Sequence, residues 1–365
     1  MAGVKVAVIA DDLTGALDVC APLAARGLAC HIATHPGGTE AALAQSGDVV
    51  CVNSASREMP EAEAAGIVAR IAARLAQERP QIVFKKVDSR LKGHVAAETE
   101  ACLAAFGRQC LVIAPAIPDQ GRRVADGVLR GIGITDPIAI ADRFTPDLPA
   151  TIPDCRTLAD LERAARADWQ TTLLVGASGL GEGLARQLVP GDGQRALPAP
   201  ALPLLLAIGS HDPITLAQAA AAVAALPGLR HVVSADGTFP PGAPLGDIVL
   251  FQAGARPGHP GHAQIMARFG HNTARLLREG PFASALISGG ETAQTILRAL
   301  DIACVRLIGA AAPGIALVRA EIGGRRVDIL TKSGGFGTPD ELVRLCRSVE
   351  KTRRNNGPNI GEEKA

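Results

Sequence analysis

Four cations, one carboxylate and one hydroxyl fall together in Lys85-Lys86-Val87-Asp88-Ser89-Arg90-Leu91-Lys92-Gly93. The stretch follows an apolar run, Gln81–Phe84, that reads as a buried strand, and precedes a helical pattern, Val95–Leu103. In an open α/β sheet, ligands bind beyond the carboxyl ends of the strands. A cationic cluster at such a place points to an anionic small molecule. The competing reading is a solvated turn with scattered charges, because surface Lys and Arg are common. Asp88 is the group that would act as a base or orient a hydroxyl there. Lys86, Arg90 and Lys92 would balance a carboxylate or a phosphoryl group, and His94 reads as a polar surface residue at a helix start.

Other strand ends carry similar chemistry. Asp11-Asp12-Leu13-Thr14-Gly15-Ala16 follows the first apolar run. Paired carboxylates there can orient hydroxyls, hold a divalent cation through water or serve as a base, whereas simple helix capping needs only one of them. Asn53-Ser54-Ala55-Ser56-Arg57 ends a strand that can neighbour the first, and the Arg57 fork suits a carboxylate. Pro115–Arg122 is turn chemistry that can wall the same site, with Arg122 and Arg123 as secondary anion ligands. In the second half, Gly209-Ser210, Ser288-Gly289-Gly290-Glu291-Thr292 and Lys332-Ser333-Gly334-Gly335-Phe336-Gly337 each follow an apolar strand. Glycines allow close approach to phosphates, and helix-start N–H groups favour anions. Neither a Walker A loop nor a dinucleotide fingerprint is present.

Strand-like runs at 4–10, 28–33, 48–52, 81–84, 110–114 and 171–175 alternate with helical patterns at 17–27 and 60–79. After the Pro-rich stretch 188–203 the alternation resumes, with strands at 204–208, 247–252, 283–287 and 327–331. Helices are expected at 214–226, 262–280, after 287 through 300, and 339–349. The pattern predicts an α/β protein of two α/β domains with mainly parallel sheets, 1–200 and 201–350, followed by a disordered polar tail, 351–365.

The chain has 365 residues and a formal net charge of +1, from 37 basic and 36 acidic side chains. That balance, with 2% aromatics and no Tyr, argues against nucleic-acid binding. The eight cysteines include no C-x-x-C pair and sit mostly in apolar segments, which reads as a reducing, cytoplasmic setting. There is no signal-peptide pattern, and no apolar run is long enough to span a bilayer.

Taken together, these motifs resemble those of the four-carbon acid sugar kinases, along nearly the whole chain. Ile9–Ala16, Asn53–Arg57, Lys85–Gly93 and Pro115–Arg122 resemble that family's N-terminal signatures. Gly209-Ser210, Ser288–Thr292 and Lys332–Gly337 resemble its ATP-binding loops, with Gly335 where the family more often has Asn. The resemblance implies an active site in the interdomain cleft and an ATP- and Mg²⁺-dependent transfer to the terminal hydroxyl of a tetronate. It implies acid-sugar contacts from Asp11, Asp12, Arg57, Lys86, Asp88, Ser89 and Arg90, with Asp12 ahead of Asp88 and Asp11 as the base. Ser210, Gly289, Gly290, Glu291, Thr292, Gly334 and Gly335 would line the nucleotide, while the metal ligands stay unassigned. The expected partners are the sugar acid and ATP, not membrane or nucleic acid, and a homodimer is allowed. A non-catalytic sugar-acid-binding protein and a two-domain dehydrogenase are the alternatives.

Overall fold

A computed structural model of the chain describes residues 4–146, 148–191, 197–254, 258, 261–312 and 314–356. The chain begins with β1 (Val6–Ala10), α1 (Leu13–Ala25), β2 (Cys30–Ala33), α2 (Thr39–Leu43), β3 (Val49–Asn53) and α3 (Glu61–Ala76). It continues with β4 (Ile82–Lys86), α4 (Val95–Phe106), β5 (Cys110–Ala114), β6 (Arg122–Ala125), β7 (Val128–Gly131) and β8 (Ile138–Ala139). Then come β9 (Ala150–Thr151), α5 (Leu158–Ala165), β10 (Thr172–Gly176) and α6 (Ser178–Leu188). The second half has β11 (Leu204–Ile208), α7 (Pro213–Ala225), β12 (Leu229–Ser234), β13 (Ile248–Ala253), α8 (His262–Glu279), β14 (Ser284–Ser288) and α9 (Gly290–Ala299). It closes with β15 (Cys304–Ala312), β16 (Ile315–Ile322), β17 (Arg325–Lys332) and α10 (Glu341–Asn356).

Two compact units result. The first comprises Met1–Ala196 with Ile302–Ala310, and the second Leu197–Asp301 with Ala311–Ala365. The expected boundary at 200/201 therefore stands beside a division at 196/197, and a short late segment belongs to the first unit. The expected tail from 351 meets α10, whose backbone is helical to Asn356; residues 357–365 lie outside those described.

In the first unit the strand order is β15-β2-β3-β1-β4-β10-β5-β9. All neighbours are parallel except β15, which pairs antiparallel with β2 through Cys304↔Ala33 to Leu307↔Cys30. Strands β1, β3, β4 and β10 are buried along their whole length, as expected of parallel strands covered on both faces. The chain leaves β1 toward β2 and later returns to place β4 on the opposite side of β1. That reversal is a topological switch point. Ala10 is level with Asn53 of β3 and Lys86 of β4, so the loops after three strands open side by side.

A small antiparallel sheet, β6-β7-β8, follows β5 and was not foreseen from the sequence. Its first hairpin turns through Asp126 and Gly127, both at positive φ (52° and 71°), the two-residue turn that matches strand twist. An Asp-Gly pair between short apolar runs was the available signal. At the hairpin's far end Gly131 has φ 136°.

In the second unit the order is β12-β13-β11-β14-β17-β16. The first five strands are parallel, and β16 pairs antiparallel with β17. Its core includes Phe251, stacked on Phe269 at 4.4 Å and edge-on to Phe239 at 5.2 Å. Helix α7 starts by rule: the Asp212 carboxylate caps the Ile214 N–H, and Pro213 takes the first helical position. Among the described residues no helix is long and apolar enough to cross a membrane.

The hairpin gives a stability prediction. A Cβ on Gly131 would lie 1.9 Å from the Gly121 carbonyl oxygen, whereas one on Gly127 would meet nothing within 4 Å. Gly127→Ala should lose only the left-handed backbone preference, about 1–2 kcal/mol. Gly131→Ala should lose clearly more in urea melts. Equal losses would show that the Gly131 contact relaxes freely.

Candidate functional site

The site in the first unit is built on the ends of β1, β3 and β4. Asp12 is the N-cap of α1, its Oδ1 accepting from the Gly15 N–H at 2.7 Å. Arg57 returns from the loop after β3, whose Ala55 sits at φ 52°. Its Nε and Nη2 each donate to Asp11 at 2.8 Å, one per carboxylate oxygen, and its Nη1 donates to Asp12 Oδ2 at 2.7 Å. One guanidinium thus holds two adjacent carboxylates, in the bidentate geometry that suits its fork. Burial alone would raise the Asp11 pKa, but the Arg57 hydrogen bonds with the Lys85, Arg57 and Lys86 charges outweigh it and hold the carboxyl below its usual range. The Arg57 fork, expected to face a ligand carboxylate, is engaged within the protein.

Beneath this clamp lies a buried polar chain. Lys85, 1% exposed, places Nζ 2.7 Å from Glu98 Oε2. Glu98 Oε1 accepts from Ser56 Oγ at 2.6 Å, Ser56 and Ser54 hydroxyls are 2.8 Å apart, and Ser54 Oγ donates to the Ala10 carbonyl at 2.9 Å. The chain links α4, the β3 loop and the end of β1. Burial lowers the Lys85 pKa and the charges of Glu98 and Asp11 more than offset it. Sequence reasoning places Glu98 only on a helix face; nothing local marks it as the partner of a lysine thirteen positions earlier.

The remaining expected residues line the same edge. Lys86 is buried and donates to the Val87 carbonyl at 2.7 Å. Asp88 Oδ1 accepts from the Arg90 N–H at 2.9 Å. Ser89 Oγ accepts from Arg122 Nη1 at 3.0 Å, which brings Arg122 of β6 to the site. His94 bonds the Met59 carbonyl at 2.6 Å, a structural role, and Lys92 is exposed. Asp18 was missed. It lies six residues beyond Asp12 on α1 and is half-buried, with burial raising its pKa to about 6 despite the Lys86 charge.

In the second unit the loops after β11, β14 and β17 meet. The Gly209 and Ser210 N–H groups donate to the Ser288 carbonyl at 3.2 and 3.1 Å, and the Gly289 N–H donates to the Lys332 carbonyl at 2.9 Å. Gly289, at φ 110°, is the N-cap of α9, so Gly290, Glu291 and Thr292 present the first-turn N–H groups that lack intrahelical acceptors. Thr292 is buried against Gly209, and Glu291 is exposed. A Cβ on Gly334 would come within 2.4 Å of Ser210 Oγ, and one on Gly335 within 3.3 Å of Asp212 Oδ2. The backbone here is bare and closely approached by polar oxygens. Lys332, named in the loop motif, does something else. It is 2% exposed and donates to Thr215 Oγ1 and to the Ser333 and Gly334 carbonyls, each at 3.1 Å. Gln218 holds the same loop further along through the Phe336 and Thr338 carbonyls at 3.0 and 2.9 Å. Thr215 and Gln218 lie on α7 at a spacing that reads simply as helix, so sequence reasoning passes them over.

Residues 6–146 match a sugar-binding N-terminal domain, and residues 248–342 match a nucleotide-binding C-terminal domain. The chain is 28% identical to a D-threonate kinase of Bordetella bronchiseptica, over 97% of this chain and 99% of the relative. It is 24% identical to a D-threonate kinase of Salmonella typhimurium, over 95% and 99%. It is 28% identical to a 3-oxo-tetronate kinase of Brucella melitensis, over 92% and 93%. Among solved structures, a Haemophilus influenzae protein aligns with a TM-score of 0.73 at 19% identity, covering 94% of this chain and 100% of that one. The last likeness is one of fold.

Two outcomes test this geometry. Glu98→Ala strands the Lys85 ammonium and should lower stability by about 3–5 kcal/mol in urea denaturation. Glu98→Gln, which keeps an acceptor for Ser56 but not the charge, should lose less; equal losses would show that the charge pairing carries the whole effect and the acceptor for Ser56 none. Lys332 supplies the second test. Burial brings its pKa from 10.5 down to about 8, partly offset by Asp212 and Glu341. The unfolded chain therefore binds more protons between those values, so stability contributed at this residue rises with pH from about 8 to 10.5. Lys332→Met should remove that rise from the pH–stability curve. An unchanged slope would contradict the assignment.

Proposed function

The chain belongs to the four-carbon acid sugar kinase family, and on that premise we propose that it transfers the γ-phosphoryl group of ATP to the terminal hydroxyl of a tetronate such as D-threonate, D-erythronate or 3-oxo-tetronate. The observation that carries this reading is a division of chemistry. The first unit holds a cluster of carboxylates and cations at a switch point. The second holds bare glycine loops around a helix N-terminus. Acceptor and nucleotide thus have separate seats.

The residues present fit a nucleotide. The first-turn N–H groups of α9 and the Gly334-Gly335 backbone, which carries no side chain of its own, offer donors to phosphate oxygens, with Ser210 Oγ and Asp212 Oδ2 close by. Among the described residues no group of three or more His, Cys, Asp or Glu could enclose a metal. Mg²⁺ is commonly held by substrate phosphates and one or two carboxylates. Asp212 and Glu291 are the carboxylates beside the loops that would hold it. A bound Mg²⁺ would neutralise charge on the phosphates.

In the first unit, positioning does most of the work, as expected for phosphoryl transfer. Asp12 stands first among the candidate bases on sequence grounds, yet both its oxygens already accept from the protein. Asp88 has only Oδ1 engaged by a hydrogen bond. We therefore assign Asp88 to the proton of the reacting hydroxyl, with Asp12 and Arg57 fixing the loop around it. Lys86 supplies positive charge beside Asp12.

Asp88→Asn should reduce kcat on the order of 10²–10⁴-fold while leaving ATP affinity and melting temperature near wild type. Asp12→Asn should lower kcat and also the melting temperature, because it loosens the Arg57 clamp. A wild-type kcat for Asp88→Asn would sink the assignment. A thermal-shift panel separates the alternatives: ATP–Mg²⁺ and a tetronate should each stabilise the protein. Stabilisation by NAD alone would favour a dehydrogenase, and by a tetronate alone a binding protein.

A further inference from the structure

Lys332 is buried at the foot of the last glycine loop, and its three acceptors match the three donors of an ammonium. Two of those acceptors are the carbonyls of Ser333 and Gly334, and the third is Thr215 Oγ1. Thr215, the third residue of α7, is fully buried. Its single hydroxyl proton goes to the Gly334 carbonyl at 2.7 Å. Its oxygen is left to accept from Lys332 and from Ser288 Oγ, 3.3 Å away. One hydroxyl on α7 thus ties together the ends of β14 and β17.

This grip on two carbonyls decides where the neighbouring N–H groups point. In a trans peptide the carbonyl and the N–H that follows it are antiparallel, and the peptides of this loop are trans. Holding the Ser333 and Gly334 carbonyls toward Lys332 turns the Gly334 and Gly335 N–H groups the other way. Among the described residues neither of these N–H groups has an acceptor. Successive backbone N–H groups facing one way make an anion-binding concavity, here with an ammonium behind it. Because its three donors are engaged, Lys332 cannot reach a ligand without releasing the loop.

We propose that Lys332 and Thr215 are positioning residues for the nucleotide, acting through the peptides they hold and not by touching it, a reading that rests on the kinase function above. Neutralising Lys332 removes one of its donors, frees a carbonyl and lets its peptide turn over. Burial brings the Lys332 pKa down to about 8, against the charges of Asp212, at the entrance to α7, and Glu341, on α10. A bound polyphosphate raises that value again, so ATP binding takes up a proton above pH 8 and weakens as pH rises further. Below pH 8 the ammonium is intact and its contribution is constant.

The full-length protein and its Thr215→Val, Thr215→Ser and Lys332→Met variants are titrated calorimetrically with ATP–Mg²⁺ on both sides of pH 8 and assayed for ADP release with D-threonate. Below pH 8, Kd and KM for ATP should rise about 5- to 50-fold in Thr215→Val and Lys332→Met. The KM for D-threonate, and kcat at saturating ATP, should stay within about threefold of wild type. Thr215→Ser keeps the hydroxyl and should stay within about twofold for ATP. The wild-type Kd for ATP should climb above pH 8 by up to about tenfold per pH unit, and Lys332→Met should show no such climb. A loss in Lys332→Met with Thr215→Val unchanged overturns the positioning role, because it marks a lysine that meets phosphate directly. An equal loss in Thr215→Ser overturns it as well. So does a wild-type Kd that is flat across pH 8, a readout that needs no variant to fold. ATP binding unaltered in every variant overturns this role alone, whereas a wild type that binds no ATP at any pH overturns the kinase reading with it.

Discussion

Two aspartates in consecutive positions at the end of β1 place like charges side by side. The whole site in the first unit depends on the Arg57 guanidinium that holds them, through three bonds of 2.7–2.8 Å. That contact is made only because β3 lies beside β1, level from Val6↔Val49 to Ala10↔Asn53, and because Ala55 accepts a left-handed backbone. Below it, Lys85 and Glu98 neutralise one another and tie Ser56, two residues from Ser54 and one from Arg57, to helix α4. The upper clamp and the buried pair are joined through the same loop. Buried ion pairs are poor sources of net stability, so this lattice is better understood as specifying geometry.

The second unit solves the same problem with neutral acceptors. Among the described residues Lys332 has no carboxylate at bonding distance, and it spends its donors on Thr215 and two carbonyls of its own loop. Three loops are thereby drawn to one place with their glycine backbones outward. The arrangement leaves the anion-binding work to backbone N–H groups and the helix terminus, not to a side-chain cation.

Much of this architecture was legible in the sequence. Parallel strands buried on both faces read as short apolar runs, and β1, β3, β4, β5, β10, β11, β13 and β14 were found that way, with polar motifs at their ends. Strands exposed on one side were harder. β12 alternates exposed His231 and Val233 with buried Val232 and Ser234 and escapes the pattern; β16, though largely buried, pairs antiparallel with β17 and escapes it too. What no local pattern carries is pairing between distant segments. Arg57 resembled a ligand fork because its partners are fixed by strand order, not by neighbours in sequence. Lys332 resembled part of a phosphate loop because its one side-chain acceptor, Thr215, comes from α7. The addition of β15 to β2 joins residues nearly three hundred positions apart, beyond any reading of periodicity.

If a terminal hydroxyl of a four-carbon acid receives the phosphoryl group, the product carries the record of it. The direct measurement is the proton-coupled ³¹P NMR spectrum of the product formed from ATP, Mg²⁺ and each tetronate. Transfer to the terminal hydroxyl gives a phosphomonoester resonance split into a triplet by the two protons of the terminal carbon. A doublet, from a secondary hydroxyl, or release of inorganic phosphate alone would contradict it.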